Sequence, residues 1–484
     1  MWTRVIHNRF FWYASRCVTI VLVVQITFGG ILERLPWSQL ADAWPVYEAV
    51  ATTGDVSIFR ESTGTESVTT SQYDVTWDTI ETENPNIALQ AGSSTIDLAE
   101  GGKYLVLYNV WTDTGGTTGN DRRSFATKLT LDGAELPYGR AASYIRDASG
   151  EDLAAYAAGG AIIDASAGQN LAVAIERDDT NANSSQITPD ANGVSILKLN
   201  DGFDYLRIHQ STRSSDISGN TSFTDVVFDT ADEVDTGSFG YTASSTATDI
   251  TLKGPVGSKF LITSNVNLEV DGGGSNRLNY EARLTLDGAE IDGTRTSAYM
   301  RNSGDEVFGT AGYTGIIEKT SSSDQILRVQ LRRESVNSSA TDILANQTAL
   351  SAVALPSSAN YLMLTTSGSS QTLGVSRTPM NWNEQTELTG SVFSHSTTTN
   401  NSRIFIDSTG NYLFFSTAYT SRSSDSDRNV PRLEWRLDGS TVVPYGGHGS
   451  YNRGNESSGG DAYTSGSSGG LILDSLTAGQ YLEL

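Results

Sequence analysis

The sequence predicts an all-β protein in which three tandem antiparallel jelly-roll sandwiches follow an N-terminal hydrophobic segment. Three observations carry this prediction. A unit of about 150 residues occurs three times within the 484 residues of the chain. Each copy contains runs in which apolar and polar residues alternate with period two, as in a half-buried strand. Loops rich in Gly, Ser, Thr, Asn and Asp separate these runs, as is typical of an antiparallel sandwich.

The repeat is clearest at an Asp-Gly pair that ends an alternating strand. The segment Phe125–Glu135 recurs as Tyr280–Glu290 and, more loosely, as Arg432–Ser440. Asp-Gly is a tight-turn signal, because Gly tolerates positive φ and Asp bonds its own backbone. Other landmarks keep nearly the same offset from this pair, which a chance match would not do. They are the glycines Gly102, Gly257 and Gly410 before apolar strands, the tyrosines Tyr144, Tyr299 and Tyr451, and the glutamines Gln169, Gln325 and Gln480.

A repeat of this length is expected to be a self-contained domain rather than a solenoid or propeller unit. The predicted domains are 51–200, 201–356 and 357–484, and the short connections between them restrict the domains to close, oriented neighbours. The third copy ends at Leu484, one strand before the position at which the first two copies end. This predicts either a truncated sequence or a third sandwich that a strand of another chain completes.

Residues 1–50 have the layout of an export segment. Three arginines and no acidic residue precede the uncharged run Cys17–Leu32. A basic region before an apolar run is typical of a cleaved signal peptide or an uncleaved N-terminal membrane anchor, and a buried hydrophobic hairpin is the third interpretation. Ala41–Ala43 supplies an A-x-A cleavage pattern, although it lies farther from the run than usual. The first two interpretations predict an extracellular or cell-surface location.

Composition excludes several classes of binding partner and of catalytic site. The net charge is −24, from 56 Asp and Glu against 32 Lys and Arg, so the chain repels nucleic acid and anionic membranes at long range. Membrane contact is therefore expected only through the N-terminal segment. The single cysteine, Cys17, excludes an intrachain disulfide and a Cys-ligated metal site in the body of the protein. The four His do not occupy corresponding positions in the repeats, and we expect no enzyme activity.

The candidate ligand-binding residues are a tyrosine and an arginine that recur two positions apart. They are Tyr144 and Arg146, Tyr299 and Arg301, and Tyr451 and Arg453. The recurrence suggests a repeated ligand contact, although an Arg stem packed on a neighbouring aromatic ring is the commoner arrangement. No cofactor is expected. Ca²⁺ is the one metal ion that loop carboxylates suggest, although Asp is also an ordinary turn former; the carboxylates are those of Asp121, Asp178, Asp179, Asp271, Asp425 and Asp427.

The units resemble the C1q/TNF-like jelly-roll family. The likeness rests on three kinds of motif and covers most of residues 51–484. The motifs are the aromatic strands Gly102–Tyr108 and Gly410–Phe414, the Leu-Asp-Gly strand ends Leu131–Gly133 and Leu286–Gly288, and the late step Ala167–Gln169. The resemblance implies ten-stranded sandwiches that associate with threefold symmetry through aromatic faces and bind other macromolecules by their loops. With three copies on one chain, it implies a trimer or an intramolecular pseudo-trimer.

The leading functional hypothesis is a secreted or cell-surface structural or adhesive protein that binds an extracellular protein or glycan. A virion structural protein, such as a tail fibre or a capsid decoration protein, is the alternative, and the export-like N-terminus argues against it. A carbohydrate-active β-sandwich protein is the weakest hypothesis, because no pair of suitably spaced carboxylates stands out in any one copy.

Overall fold

The computed structural model confirms the all-β prediction. The described residues contain no helix, so none is long and apolar enough to span a membrane, and their strand pairs are antiparallel. The structure describes residues 19–25, 56–90, 93–113, 122–146, 155–177, 185–189, 191–199, 201–270, 277–301, 307–334, 339–357, 359–366, 371–373, 376–388, 391–421, 428–453 and 464–484.

The strands fall into three groups by their pairing, which we call the first, second and third units. β1 is Thr19–Gln25. The first unit contains β2 Val56–Glu61, β3 Tyr73–Asp74, β4 Thr79–Thr82, β5 Ile87–Leu89, β6 Ile96–Leu98, β7 Gly102–Asp113, β8 Arg122–Leu131, β9 Ala134–Glu135, β10 Ala141–Arg146, β11 Ala155–Ala165, β12 Gln169–Arg177, β13 Gln186–Ile187 and β14 Asn192–Lys198.

The second unit contains β15 Tyr205–His209, β16 Thr224–Asp225, β17 Thr230–Val234, β18 Phe239–Gly240, β19 Ile250–Leu252, β20 Lys259–Val270, β21 Arg277–Leu286, β22 Ala289–Glu290, β23 Thr296–Arg301, β24 Val307–Glu318, β25 Gln325–Arg333, β26 Thr341–Ile343 and β27 Ala349–Ala354. The third unit contains β28 Asn360–Thr365, β29 Glu384–Leu388, β30 Phe393–Ser394, β31 Ile404–Ile406, β32 Gly410–Ser421, β33 Arg428–Asn429, β34 Arg432–Leu433, β35 Arg436–Leu437, β36 Thr441–Val442, β37 His448–Gly449, β38 Asn452–Arg453, β39 Thr464–Leu476 and β40 Tyr481–Glu483.

Each unit has two main sheets, which we call inner and outer, and the inner sheets of the three units contribute to one shared apolar cluster. The inner sheets have the orders β11-β7-β14-β2-β4, β24-β20-β27-β15-β17 and β39-β32-β1-β28-β29. The outer sheets are built on β10-β8-β12-β6-β5, on β23-β21-β25-β19-β18 and on β36-β35-β40-β31-β30. The three inner sheets therefore have the same strand order, and β1 occupies the middle place in the third.

The Asp-Gly turns join β8 to β9, β21 to β22 and β35 to β36, as the sequence predicts. Asp287 has φ 51° and Gly288 has φ 82°, which is the double positive φ of a type I′ hairpin. The Asp287 carboxylate also accepts bonds from the Ile326 amide at 2.8 Å and the Gln325 side chain at 2.8 Å. Asp132 and Asp438 have φ 50° and accept the equivalent bonds from residues 169–170 and 480–481. The recurring Asp and the recurring Gln are thus hydrogen-bonded to each other in every unit.

The predicted leader, residues 1–50, lies outside the described residues except for the backbone of Thr19–Gln25. That backbone pairs with β28 on one side and with β32 on the other. The third unit was expected to lack the strand that closes its inner sheet, and the structure fills this place from within the same chain. The export role of residues 1–50 and the three domain boundaries remain predictions.

Candidate functional site

A shared apolar cluster lies where the three inner sheets meet. Leu105 in β7 is opposite Ile162 in β11, and both are buried. The corresponding pairs in the other two units, Leu261 with Ile316 and Leu413 with Ile472, belong to the same cluster. Equivalent positions of the three units therefore belong to one cluster, and burial of this apolar surface stabilises the contact between the units.

Two hydrogen bonds between units follow the same symmetry. The amide of Ile162 donates to the Ser351 hydroxyl at 2.9 Å, and the amide of Ile472 donates to the Ser195 hydroxyl at 3.3 Å. Ser195 and Ser351 occupy equivalent places in β14 and β27. The first unit thus donates to the second, and the third donates to the first. These hydrogen bonds fix the orientation of the units relative to one another.

The three predicted tyrosines meet one another in a second core cluster, which is separate from this apolar cluster. The ring centroids of Tyr144 and Tyr299 are 5.1 Å apart, those of Tyr144 and Tyr451 are 5.0 Å apart, and those of Tyr299 and Tyr451 are 4.7 Å apart. All three side chains are buried. We call Tyr144, Tyr299 and Tyr451 the tyrosine triad. The triad is a contact between the units rather than an exposed ligand surface.

The predicted arginines lie one step further along the same strands. Arg301 is buried in β23 and lies opposite Arg277 in β21. The backbones of Arg146 and Arg453 lie opposite Arg122 and Arg428 in the same way, and their side chains are outside the described part of the chain. The structure thus places a cross-strand arginine pair at the same level in each unit, a pairing that spacing along the sequence does not reveal.

A small cavity of about 50 Å³ adjoins the tyrosine triad. Its walls come from all three units and include Tyr144, Ala158, Ser297, Tyr299, His448 and Ser467. At roughly 10–15 Å³ for each water, it holds a few water molecules or one small polar molecule. It is far too small for a peptide or a glycan, because ligand pockets of that kind enclose several hundred Å³.

His448 in the cavity wall is a buried side chain that sequence reasoning missed. Its Nε2 is 2.6 Å from the Ser416 hydroxyl and its Nδ1 is 2.9 Å from the Ser467 hydroxyl. Burial lowers the pKa of His448 to about 3, so the ring is neutral at pH 7. A neutral ring carries one N–H, so one hydroxyl donates to the ring and the other accepts from it. Both bonds lie within the third unit and orient the ring without an acidic partner.

Polar contacts also join the units away from the centre. Tyr138 of the first unit and His209 of the second both hydrogen-bond to Asp232. Burial opposes ionisation of Asp232, but these hydrogen bonds prevail and lower its pKa. Between the second and third units, the Tyr419 hydroxyl donates to the fully buried Glu281.

No group of three metal-ligating side chains occurs among the residues that the structure describes. The loop carboxylates suggested for Ca²⁺ all belong to segments outside those residues.

No protein-family profile matches the sequence, and no curated protein matches it significantly. Among solved structures, Eiger TNF from S. frugiperda is similar over 30% of this chain and 93% of its own, with 20% identity and a TM-score of 0.22. A structure of PNGF-II is similar over 62% of this chain and 65% of its own, with 9% identity and a TM-score of 0.22. A chain in the complex of plant peptide RALF23 with FER and LLG2 is similar over 55% of this chain and 81% of its own, with 11% identity and a TM-score of 0.16.

Proposed function

We propose that the chain is a non-catalytic binding protein that works as a single-chain pseudo-trimer. The observation that carries this proposal is the convergence of equivalent residues from three units, above all the tyrosine triad at centroid distances of 4.7–5.1 Å. The centre is filled by side chains, so a macromolecular ligand has to bind on the outside. The loops between strands are the surfaces left for it, and three similar units offer up to three similar sites.

The ligand class we propose is an extracellular protein or a glycan, in a structural or adhesive role. The net charge of −24 supports a neutral or cationic ligand over a polyanion, because like charges slow association. The secreted or cell-surface location rests on residues 1–32 alone. Cell fractionation of the full-length chain tests it, since we expect the chain at the cell surface or in the medium, and a chain found only inside the cell would exclude this location.

Solution scattering tests the pseudo-trimer. A compact body of 484 residues has a radius of gyration of about 23 Å, whereas three touching globular units in a row would have roughly 34 Å. We expect the compact value for the intact chain at a molecular mass of 51.8 kDa. A rod-like profile would eliminate the pseudo-trimer.

Binding arrays test the ligand. The intact chain is applied to protein and glycan arrays beside a Tyr299→Ala variant, which loosens the centre, and a Tyr299→Phe variant, which keeps the ring. If binding uses several units at once, avidity and therefore retention should fall in Tyr299→Ala and persist in Tyr299→Phe. Equal retention by all three proteins would show that the sites act independently, and hydrolysis of an array glycan would favour the carbohydrate-active hypothesis.

A virion structural protein remains the second candidate, and one observation favours it. The backbone of Thr19–Gln25 is a strand of the third inner sheet. A segment built into a sheet is not a cleaved leader, and the leader was the argument against a virion protein. An uncleaved chain that copurifies with particles would support this candidate, and an export assay separates the two.

A further inference from the structure

The third inner sheet has a slot for a strand between β28 and β32. In the first inner sheet the equivalent place, between β2 and β7, is filled by β14, and in the second it is filled by β27 between β15 and β20. Both of these strands follow the rest of their own unit in the sequence. The slot in the third unit is filled instead by β1, which precedes all three units.

The register of β1 equals that of the two native closing strands. In the first unit Lys198 lies opposite Tyr104, and in the second Ala354 lies opposite Phe260. Tyr104, Phe260 and Tyr412 are equivalent landmarks of the repeat, and Gln25 of β1 lies opposite Tyr412. The substitute strand is thus aligned with no offset, and a shift of one residue would turn every side chain to the other face.

The slot needs an occupant because both of its walls are buried. Tyr361 of β28 and Leu413 of β32, which lie on either side of Val24, are each 2% exposed. Without a strand between them, two rows of backbone amides and carbonyls would lose their partners. The sequence Thr-Ile-Val-Leu-Val-Val-Gln is uncharged and rich in β-branched residues, a composition typical of a central strand.

We infer that Thr19–Gln25 is the closing strand of the third unit, so that the chain joins its beginning to its last unit and keeps this segment in the mature protein. The inference is independent of the proposed binding function, which depends on the loops and the tyrosine triad. One difference from the native closing strands remains. Ser195 and Ser351 accept hydrogen bonds from a neighbouring unit, whereas the equivalent residue of β1 is Leu22.

Disulfide trapping in the full-length chain tests the register. With Cys17 replaced by Ser, the pair Leu22→Cys and Met363→Cys places two cysteines directly opposite each other. The matched control pairs Leu22→Cys with Leu362→Cys, one residue out of register. We expect a disulfide within a single chain for the first pair, seen by peptide mapping, and at least tenfold less for the control. Absence of the bond in a folded chain, a bond only between two chains, or a mature N-terminus beyond residue 25 would each overturn the inference.

Peptide rescue gives a second measurement. A chain without residues 1–26 should show altered fluorescence from Trp382 and Trp435, which are fully buried in the third unit, whereas a chain without residues 1–16 should not. A synthetic peptide of residues 17–27 should restore the signal, and a scrambled peptide should not. Native fluorescence without any peptide would show that another segment closes the slot, and the inference would then be wrong. Array binding by the same proteins reports on the proposed function separately.

Discussion

The tyrosine triad gives the sharpest test of how the units are held together. In Tyr299→Ala the ring that contacts both Tyr144 and Tyr451, at 5.1 and 4.7 Å, is removed from a site that is 6% exposed. Replacing a buried aromatic residue by Ala costs about 3–5 kcal/mol. The two ring pairs account for about 0.5–1.5 kcal/mol each of that cost. We therefore expect a loss of about 3–5 kcal/mol in the free energy of unfolding.

The assay uses the distribution of tryptophan. The second unit, which contains Tyr299, has no tryptophan, whereas Trp77 lies buried in the first unit and Trp435 in the third. Urea unfolding followed by tryptophan fluorescence therefore reports on the neighbours of the mutated unit. A lower midpoint in Tyr299→Ala would show that the triad couples the units, because damage confined to the second unit would leave this signal unchanged.

Tyr299→Phe is the matched control, since it keeps the ring and removes only the hydroxyl. We expect its free energy of unfolding to lie within about 1.5 kcal/mol of the native value. The reasoning would be refuted if Tyr299→Ala left the tryptophan transition in place, or if Phe and Ala at this position were equally destabilising.

Three further predictions concern a turn, a buried base and a contact between units. Gly288→Ala should lower the free energy of unfolding by about 1–2 kcal/mol, and the φ of 82° is the only cause because a new Cβ meets nothing within 4 Å. The control Gly219→Ala is equally open but has no positive φ, so it should leave the thermal melting temperature unchanged. Burial lowers the pKa of His448 to about 3, so as the pH falls the unfolded chain binds this proton at a higher pH than the folded chain does. The free energy of unfolding should therefore fall from about pH 6.5 towards pH 3, and it should fall less in His448→Gln. Tyr419→Phe should cost about 1–3 kcal/mol in urea unfolding, since buried Glu281 loses a donor; no change would mean that water replaces the hydroxyl.

Local structure was largely predictable from the sequence. Alternation in Phe125–Leu131 predicted a strand, and β8 spans it. The Asp-Gly pair predicted a hairpin, and Asp287 and Gly288 form one. These signals are local, because a side-chain period or a φ preference depends only on neighbouring residues. The recurrence of Gln325 was visible too, but its reason, a bond to Asp287 across 38 residues, needed the fold.

Contacts between units were not predictable in the same way. Tyr299 recurs in all three copies, yet recurrence alone does not distinguish a residue that faces a ligand from one that faces another unit. His448 occurs in one copy only, so a search for repeated residues passes over it. The pairing of Thr19–Gln25 with β28 is also invisible to periodicity, because an uncharged apolar run suits a leader and a central strand equally well.

The shared apolar cluster has a consequence for behaviour on dilution. Three separate chains that met through such a cluster would dissociate at low concentration, because their association obeys mass action. Here short covalent connections replace three independent molecules by one, and the effective concentration of each unit for its neighbours stays near the millimolar range however dilute the solution. Because the three units belong to one chain, equivalent positions can carry different residues. One such position holds Leu107 in the first unit, Thr263 in the second and Phe415 in the third. Non-identical side chains can therefore fill equivalent buried places in the three inner sheets.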